Sequence, residues 1–383
     1  MTETGKPADS TTVARQALDA LTLRLIDGVA TAVRRSIERG ELPHIELPVR
    51  SLANVSYDPD KGYLELGEAL KTRTLTVHTV RSFAQTLRLM AAARQMVRDD
   101  DFATKREAYY ISKNWGDCRF DAQAESDAIM DDIEALASLH GLSREQLRFY
   151  PESHGGAVAG PLTVIDTDPD SGAVLEIDCA GLGSGAWSVP RSVEHLGFCA
   201  EADFILAIET GGMFQRLNKH RFWKQARCIL VEMGGVPTRA TRRFIRRLSD
   251  STDLPVYCFV DCDPYGIANI YRTLKVGSGN AAHINRFFCV PRAQYLGVTP
   301  QDIIDYRLQD ATHPLGKTDI KRARDALQHD PFFASQPRWT AAIEQLLAMG
   351  VRAEQQALAK WGLNYVIDDY LPRKLGDRDG FLP

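Results

Sequence analysis

The 383-residue sequence lacks the features that mark membrane, secreted and polycationic proteins. It has no apolar run near the roughly 18 residues that a membrane-spanning helix needs. The first ten residues are polar, so they do not form the apolar centre of a signal peptide. Lys and Arg total 46 against 50 Asp and Glu, which excludes a histone-like polycation but leaves room for a local basic surface. We therefore expect a soluble cytoplasmic protein of two to three domains that does not act at a membrane.

Cysteine is scarce and scattered. The seven cysteines are odd in number, and no two of them form a Cys-x-x-Cys pair. Common structural zinc sites need such pairs, and a disulfide framework needs an even set in an oxidising compartment. Reduced thiols in the cytosol are therefore the expectation, with neither zinc nor disulfides.

Several catalytic motifs are also missing. The sequence contains no Gly-x-x-x-x-Gly-Lys-Ser/Thr loop, so it does not bind ATP through a P-loop. The motifs His-Glu-x-x-His and Gly-x-Ser-x-Gly are absent, which argues against zincin proteases and α/β-hydrolases.

The N-terminal part of the chain has helical periodicity. Apolar residues three and four apart predict helices over residues 12–39, 79–97 and 122–139, and Thr104 is a plausible N-cap of another. Helices followed by short extended segments are typical of a winged-helix module. The first helix is amphipathic at a chain terminus, and docking of a partner and packing on its own chain fit it equally well.

The pattern changes near Phe204. Apolar strand-like runs at residues 204–208, 228–232, 256–261 and 287–290 alternate with helical stretches at 213–220, 238–248 and 267–274. This alternation predicts a buried, mainly parallel sheet with helices on both faces. Ligands of such sheets bind at the carboxyl ends of the strands.

Acidic residues stand at those strand ends. Glu209 follows the first run, and Asp261 and Asp263 end the third. Three neighbouring carboxylates repel one another unless a cation lies between them, and hard oxygen ligands suit Mg²⁺. Strand-end aspartates also serve as helix N-caps, but the glutamate on a separate strand favours the metal interpretation.

The segment 104–110 (TKREAYY) contains a second candidate centre. Arg106 and Tyr110 are four residues apart and so share one helical face. A phenol is a weak nucleophile until a nearby cation or base favours its phenolate, and a guanidinium can also hold a phosphate. Taken alone, this pattern fits a packed tyrosine pair in a helix better than a nucleophile.

A basic stripe follows on a later helix. Its members are three and four residues apart with no acid among them: Arg239, Arg242, Arg243, Arg246 and Arg247. A charged face is usually just solvated. Next to a predicted metal site, however, five arginines indicate a track for DNA phosphates.

Together these residues resemble a known family. The segment 260–267 (VDCDPYGI) is similar to the Asp-x-Asp-Pro-x-Gly signature of the Toprim domain in topoisomerase VI A subunits and their meiotic double-strand-break relatives. Further segments resemble the family in the same order along the chain, from about residue 13 to the C-terminus: 47–54 (LPVRSLAN), 104–110, 159–160, Glu209 with 214–217 (FQRL), 241–242, and 274–278 (LKVGS).

The resemblance implies roles for individual residues. It makes Tyr110 the nucleophile that forms a 5′-phosphotyrosyl link, and Arg106 the arginine one turn before it. Tyr109 is left as a packing residue, because relatives can carry Phe at that position. Glu209, Asp261 and Asp263 become Mg²⁺ ligands. Lys275, in the segment 274–278, joins the arginines Arg239, Arg242, Arg243 and Arg246 as expected DNA contacts.

The resemblance also implies partners. These are double-stranded DNA, a second copy of the chain whose acids work with the tyrosine of the first, and a separate ATPase subunit of the topoisomerase VI B type in an A2B2 heterotetramer. The chain departs from the family at two positions. Thr210 stands where relatives usually carry Lys, and Gly155, beside His154, stands where they carry Lys or Arg.

The expected architecture combines α+β and α/β parts. Residues 1–69 hold the N-terminal helix and a partner-docking extension, 70–160 a winged-helix (CAP-like) domain with the catalytic tyrosine, 161–200 connecting strands, and 201–383 the Toprim domain with a C-terminal helical extension. Three alternatives remain open: a transesterase that breaks DNA without resealing it, a Toprim nuclease that uses water as nucleophile, and an inactive DNA-binding scaffold.

Overall fold

A computed structural model describes residues 7–152, 155–168 and 171–383, with side chains from Arg15 onward. The helices are α1 Pro7–Glu38, α2 Val80–Asp99, α3 Lys105–Ile111, α4 Gln123–Ser138, α5 Gly211–Lys219, α6 Phe222–Ala226, α7 Arg239–Thr252, α8 Arg272–Lys275, α9 Ala282–Phe288, α10 Pro300–Asp305, α11 Lys317–His329, α12 Pro331–Ala334, α13 Pro337–Met349 and α14 Leu371–Gly376. A π-helical segment, Gly266–Tyr271, leads into α8.

The strands are shorter and more numerous. They are β1 His44–Pro48, β2 Val55–Asp58, β3 Tyr63–Leu66, β4 Leu70–Thr74, β5 Ala103–Thr104, β6 Phe149–Tyr150, β7 Ala157–Ala159, β8 Leu162–Thr167, β9 Val174–Asp178, β10 Trp187–Ser188, β11 Gly197–Ala200, β12 Phe204–Ile208, β13 Cys228–Glu232, β14 Val256–Phe259, β15 Gln294–Gly297, β16 His313–Pro314 and β17 Val351–Arg352.

Residues 15–50 and 70–150 form the N-terminal module, whereas the β2–β3 hairpin packs on the C-terminal half of the chain, where the Leu64 N–H donates to the Val276 carbonyl. Helices α1, α2 and α4 pack around a core that includes Met130 and Phe149, and the antiparallel pair β1–β4 lies against α4. Ile26 and Val33 of α1 are buried in this module. The first helix therefore packs on its own chain, which is one of the two interpretations that its amphipathic sequence allowed.

A six-stranded sheet dominates the rest of the chain, in the order β10-β7-β13-β12-β14-β15. The four strands β13, β12, β14 and β15 run parallel, while β7 and β10 add an antiparallel edge. All five residues of β12 are buried, and each large side chain among them stabilises the fold by about 1.5–3 kcal/mol. The prediction of a buried, mainly parallel sheet is confirmed. We call residues 204–383 the sheet module.

One predicted strand is wrong. Residues 287–290 were expected to form the fourth parallel strand, but Phe288 ends helix α9, and the fourth parallel strand is Gln294–Gly297. Ile284 and Phe288 are both buried four residues apart, which is helical spacing. A short apolar run cannot by itself separate a buried strand from a buried helix end.

Two further features complete the fold: a small sheet between the two modules in sequence, and a bridge within the C-terminal part. The antiparallel strands β11, β8 and β9 form a separate three-stranded sheet between the modules in sequence. In the C-terminal part, an isolated bridge pairs Cys262 with Ala353 and so brings the chain after β17 beside the loop that follows β14. In the described part of the chain, no helix is both long and apolar enough to cross a membrane.

Candidate active site

Two of the predicted acids meet at the carboxyl edge of the parallel sheet. Strands β12 and β14 pair in register, with Ile208 opposite Phe259. The Glu209 N–H donates to the Phe259 carbonyl over 3.0 Å, and the Asp261 N–H donates to Glu209 Oε2 over 2.8 Å. Both side chains lie in nearly buried residues, at 9% and 8% exposure.

The third predicted acid, Asp263, has one carboxylate oxygen bonded to the backbone of the helical segment that follows it. Asp263 Oδ1 accepts a hydrogen bond of 2.5 Å from the Gly266 N–H at the start of the π-helical segment. One oxygen of this side chain therefore serves as a helix cap, the alternative weighed for strand-end aspartates. Gly266 is required here, because a Cβ at this position would lie 2.8 Å from the Asp261 carbonyl oxygen.

The three acids share an unfavourable electrostatic environment. Burial, followed by the charge of Asp261, raises the pKa of Glu209 to about 8. Burial also raises the pKa of Asp261 to about 6 against the lowering effect of the Gln355 N–H, and the charge of Asp263 adds to the rise. Burial is again the main cause that raises the pKa of Asp263. A bound cation would relieve this repulsion.

The donor set suits Mg²⁺ in its chemistry, since it offers hard carboxylate oxygens that repel one another in a buried corner. Among the residues that the structure describes, no three His, Cys, Asp or Glu side chains already converge as a metal cluster. The hydrogen bond from Gly266 to Asp263 accounts for part of this, because it turns one carboxylate oxygen toward the backbone.

Gln355, which no sequence pattern marks, contacts this corner from the C-terminal part of the chain. Its backbone N–H donates to Asp261 Oδ1 over 2.8 Å, and its side-chain Nε2 donates to the Phe259 carbonyl over 2.6 Å. Gln355 is fully buried and lies 94 residues from Asp261 along the chain. No local pattern marks it, because the Cys262–Ala353 bridge brings it into place.

Both departures from the family pattern have structural partners. Thr210 Oγ1 donates to Gln355 Oε1 over 3.0 Å and also accepts from the Met213 N–H, which caps α5. A Cβ added at Gly155 would lie 2.5 Å from the Val189 Cβ, so close packing excludes a longer side chain there. His154 lies outside the described residues.

The candidate nucleophile Tyr110 lies on the short helix α3, whose N-terminus is capped. Thr104 and Glu107 form a capping box at the beginning of α3: Thr104 Oγ1 accepts from the Glu107 N–H at 3.2 Å, and Glu107 Oε2 accepts from the Thr104 N–H at 2.7 Å. Tyr110 is 57% exposed, and Arg106, four residues earlier, is also exposed. Both side chains therefore face solvent on the same side of α3.

The neighbouring Tyr109 differs from Tyr110 in its burial and in the hydrogen bond of its hydroxyl. Tyr109 is half-buried against the core of the N-terminal module, and its hydroxyl donates to the Asp121 carbonyl over 3.3 Å. The Lys113 ammonium lies 4.0 Å from the centre of its ring. The Tyr109 and Tyr110 rings meet edge-to-face at 5.4 Å, so the first tyrosine supports the second.

A chain of ion pairs holds the start of α3. Lys105 Nζ lies 3.0 Å from Asp131 Oδ1 on α4, and Arg50 Nη1 lies 3.7 Å from the other oxygen of Asp131. Arg50 Nε also donates to Asp132 Oδ1 over 2.9 Å. Arg50 belongs to the segment 47–54, whose role the sequence alone left open. It ties the end of β1 to the helix that positions α3.

The arginine stripe is not a solvent-facing track, which corrects the sequence interpretation. Arg239 binds Glu134 and Glu145, and Arg242 is buried. The other three reach acids or carbonyls of the same chain: Arg243 contacts Glu194 and the Phe287 carbonyl, Arg246 contacts Asp250 and the Cys289 carbonyl, and Arg247 contacts the Val193 carbonyl. These side chains are committed to internal contacts rather than held open for phosphates.

Lys275 is corrected in the same way. Its Nζ donates to the carbonyls of Pro291 and Ala293 at 2.8 and 2.7 Å, and the residue is 8% exposed. Burial lowers the pKa of Lys275 to about 8. A DNA contact was expected from the resemblance, but this ammonium fastens α8 to the loop before β15.

Three family models match consecutive parts of the chain. The model described as "Type IIB DNA topoisomerase" matches residues 81–148, and the "All-beta domain in DNA topoisomerase VI alpha subunit" matches 152–202. The model of the Toprim domain that topoisomerase 6 A subunits share with Spo11 matches 204–375. The all-beta match contains the three-stranded sheet, and the Toprim match contains most of the sheet module.

Curated relatives cover nearly the whole chain. The A subunit of the type 2 DNA topoisomerase 6 of Methanocaldococcus jannaschii is 51% identical over 355 residues, which is 93% of this chain and 94% of the relative. The corresponding protein of Halobacterium salinarum is 36% identical over 88% of this chain and 91% of its own, and that of Methanothermobacter thermautotrophicus is 34% identical over 93% and 97%.

The parallel sheet with its acidic corner and the type IIB N-terminal region define a DNA topoisomerase component with a Toprim domain. More narrowly, the chain belongs to the family of topoisomerase VI A subunits, which cleave and rejoin DNA. The expectation of a DNA-cleaving and rejoining enzyme is confirmed.

Proposed function

We propose that this chain breaks and reseals double-stranded DNA with Tyr110 as the nucleophile. The observation that carries the assignment is the contrast between two neighbouring tyrosines. Tyr110 is 57% exposed beside an exposed Arg106, whereas the Tyr109 hydroxyl is engaged by the Asp121 carbonyl. A nucleophile must reach a backbone phosphate, and of the two phenols only Tyr110 is free to do so.

The proposed reaction is a reversible transesterification. The exposed Tyr110 Oη gives its proton to solvent water and attacks phosphorus, the O–P bond to tyrosine forms, and the bond from phosphorus to the 3′ oxygen breaks. The departing 3′ oxygen takes up a proton, which leaves a 5′-phosphotyrosyl link and a free 3′-hydroxyl. Arg106 stabilises the phenolate and the pentacoordinate phosphate, a role for which a planar guanidinium is well suited. Resealing is the reverse reaction and needs no ATP for its chemistry.

The acidic corner is proposed as the Mg²⁺ site. Glu209, Asp261 and Asp263 would hold the ion, and the raised pKa values of these buried acids support this assignment. When bound, Mg²⁺ would neutralise negative charge on the scissile phosphate and the departing oxygen. Gln355 holds the Asp261 carboxylate through its backbone N–H and so keeps one ligand in place.

We also propose the domain boundaries of this chain. Residues 70–160 would form the winged-helix (CAP-like) domain, supported by α2, α3 and α4 with the short parallel pair β5–β6. Residues 161–200 would connect it to the Toprim domain, proposed as residues 201–383. Residues 1–69 would form the extension that reaches a partner.

The chain is proposed to act as a homodimer on duplex DNA, with an ATPase subunit of the B type in an A2B2 assembly. In this arrangement the tyrosine of one protomer meets the acids of the other, as the family resemblance implies. A groove of about 450 Å³ between α1 and α2, lined by Val33, Ile37, Leu87 and Met90, offers an apolar surface to the ATPase subunit. Ile37 is 60% exposed there.

Analysis of cleavage products with and without protease tests the reaction class. A transesterase leaves protein on the DNA ends, so the labelled products enter a denaturing gel normally only after proteolysis. A hydrolytic nuclease releases free ends in both samples and would not require Tyr110. Breaks that persist when the salt concentration is raised with Mg²⁺ still present would identify an enzyme that cuts without resealing.

A further inference from the structure

A buried ion cluster joins the two modules. It consists of Arg239 at the start of α7 in the sheet module, Glu134 on α4 and Glu145 in the turn after α4, and we call these three residues the inter-module clamp. Their side chains are 16%, 2% and 5% exposed. Arg239 is also the first arginine of the basic stripe for which the sequence predicted contacts with DNA phosphates.

Its geometry is specific. Arg239 Nε and Nη2 donate to the two oxygens of Glu145, both over 2.9 Å, and Nη2 also donates to Glu134 Oε1 over 2.5 Å. The guanidinium lies 4.5 Å from the centre of the Phe288 ring. A planar guanidinium with a bidentate partner fixes direction as well as distance.

Both acids remain charged in this environment. Burial is the largest influence and raises the pKa of Glu134, but the charge of Arg239, with further lowering from His283 and Arg144, holds that pKa well below its usual range. The pKa of Glu145 is lowered in the same way, against its burial, by Arg239. The Arg144 N–H also donates to Glu134 over 2.9 Å, and His283 Nε2 lies 3.5 Å from it. Removal of Arg239 would therefore leave two carboxylates without their main counter-charge.

The clamp is connected to the helix of the nucleophile. Glu134 and Asp131 lie one turn apart on α4, and Asp131 holds Lys105 at the first position of α3. The same α4 thus contacts the sheet module through Arg239 and the Tyr110 helix through Lys105. A satisfied buried network of charged hydrogen bonds is directional, and so it adds a fixed angle to the contacts between α4 and α9.

We infer that Arg239 is a positioning residue: through Glu134 and Glu145 it fixes the Tyr110-bearing module on the sheet module, so that both move as one body. This deepens the proposed function, because a tyrosine can meet the acids of a second protomer in register only if each protomer holds its own modules at one angle. A DNA gate built from such protomers opens between them rather than within each of them.

A distance measurement tests this without any DNA chemistry. Spin labels are placed at His140→Cys and Glu344→Cys, two exposed positions, after Cys118→Ser and Cys199→Ser, and the labelled chain is mixed with excess unlabelled chain. We expect a narrow distance distribution, at least doubled in width by Arg239→Ala. Arg246→Ala, on the same helix but with its described hydrogen bonds to Asp250 and the Cys289 carbonyl inside the sheet module, should leave it narrow.

Arg239→Lys provides the second variant if the alanine protein does not fold. It keeps the charge but not the bidentate fork, and we expect an intermediate width. An unchanged narrow distribution in a folded Arg239 variant would overturn the inference. In the same proteins, mapped cleavage positions on the two strands should scatter for Arg239→Ala and stay fixed for Arg246→Ala. If wild-type protein forms no covalent complex, the proposed function fails while the distance result still stands.

Discussion

The backbone N–H of Asp261 donates to the carboxylate of Glu209 over 2.8 Å, so two acids from separate strands share one buried corner of the sheet. Parallel pairing of β12 with β14 produces this contact, because equivalent ends of parallel strands lie at the same edge. The arrangement concentrates negative charge where it is least stable without a cation.

Neutralising either acid should abolish the effect of Mg²⁺ while preserving the fold. For Glu209→Gln and Asp261→Asn we expect loss of Mg²⁺-dependent cleavage, because an amide brings no charge to balance the ion. Without metal, the melting temperature should stay level or rise, since buried repulsion is removed. The matched control is Glu201→Gln, an exposed acid outside the corner. Cleavage at the wild-type rate in low Mg²⁺ by either variant would favour capping over coordination.

Lys275 should make stability depend on alkaline pH. Burial lowers its pKa to about 8, below the 10.5 of a free lysine, so between these values the unfolded chain binds more protons than the folded one. Stability should then rise with pH from about 8 to about 10.5, by up to about 3 kcal/mol for this group. Urea unfolding of wild type and Lys275→Met across this range measures the difference. A constant difference at every pH would contradict the assignment of a lowered pKa.

Gln355 should stabilise the acidic corner more than its position in the sequence indicates. Gln355→Ala removes the side-chain donor to the Phe259 carbonyl and the acceptor of the Thr210 hydroxyl, and leaves a buried gap. We expect a loss of about 2–4 kcal/mol in the free energy of unfolding, together with weaker cleavage. Gln356→Ala is the control, because this neighbour is exposed. Equal stability of the two variants would show that the buried contacts contribute little.

Asp131 should affect cleavage through the orientation of α3. Asp131→Asn weakens the ion pairs with Lys105 and Arg50 but leaves the side-chain shape nearly unchanged. We expect about tenfold slower formation of the covalent complex with DNA binding and folding retained, because misplaced reacting groups lose rate. Asp117→Asn, an exposed acid near α3, should have no such effect. An equal loss of DNA affinity would instead indicate a role in binding.

The sequence predicted the parts of the fold that depend on local pattern. The parallel strands Phe204–Ile208 and Cys228–Glu232 were placed at their observed bounds, and Thr104 begins a helix as expected. Periodicity and capping residues act over a few positions, so they can be recognised in one sequence. The contact of Glu209 with Asp261 could also be anticipated, because parallel strand order alone brings the two together.

Contacts between distant segments could not be predicted. Glu134 and Glu145 lie 105 and 94 residues from Arg239, so nothing near the arginine stripe revealed its internal partners. Charge pattern alone describes a side chain and not what covers it. Lys275 was misjudged for the same reason, since its acceptors are backbone carbonyls, which carry no sequence signal. Gln355 reaches its site only through the Cys262–Ala353 bridge.

The central claim is that the exposed Tyr110, and not the packed Tyr109, attacks DNA. Tyr110→Phe removes one oxygen from an exposed side chain, so the variant should fold, bind DNA and dimerise as the wild type does. Tyr109→Phe loses a hydrogen bond to the Asp121 carbonyl, worth about 1 kcal/mol, and should keep most activity.

The direct measurement is the labelled covalent protein–DNA complex on a denaturing gel, with Mg²⁺ and the ATPase subunit present. We expect the complex from wild type and Tyr109→Phe and none from Tyr110→Phe. A Tyr110→Phe protein that still forms it, or a Tyr109→Phe protein that alone loses it, would contradict the assignment.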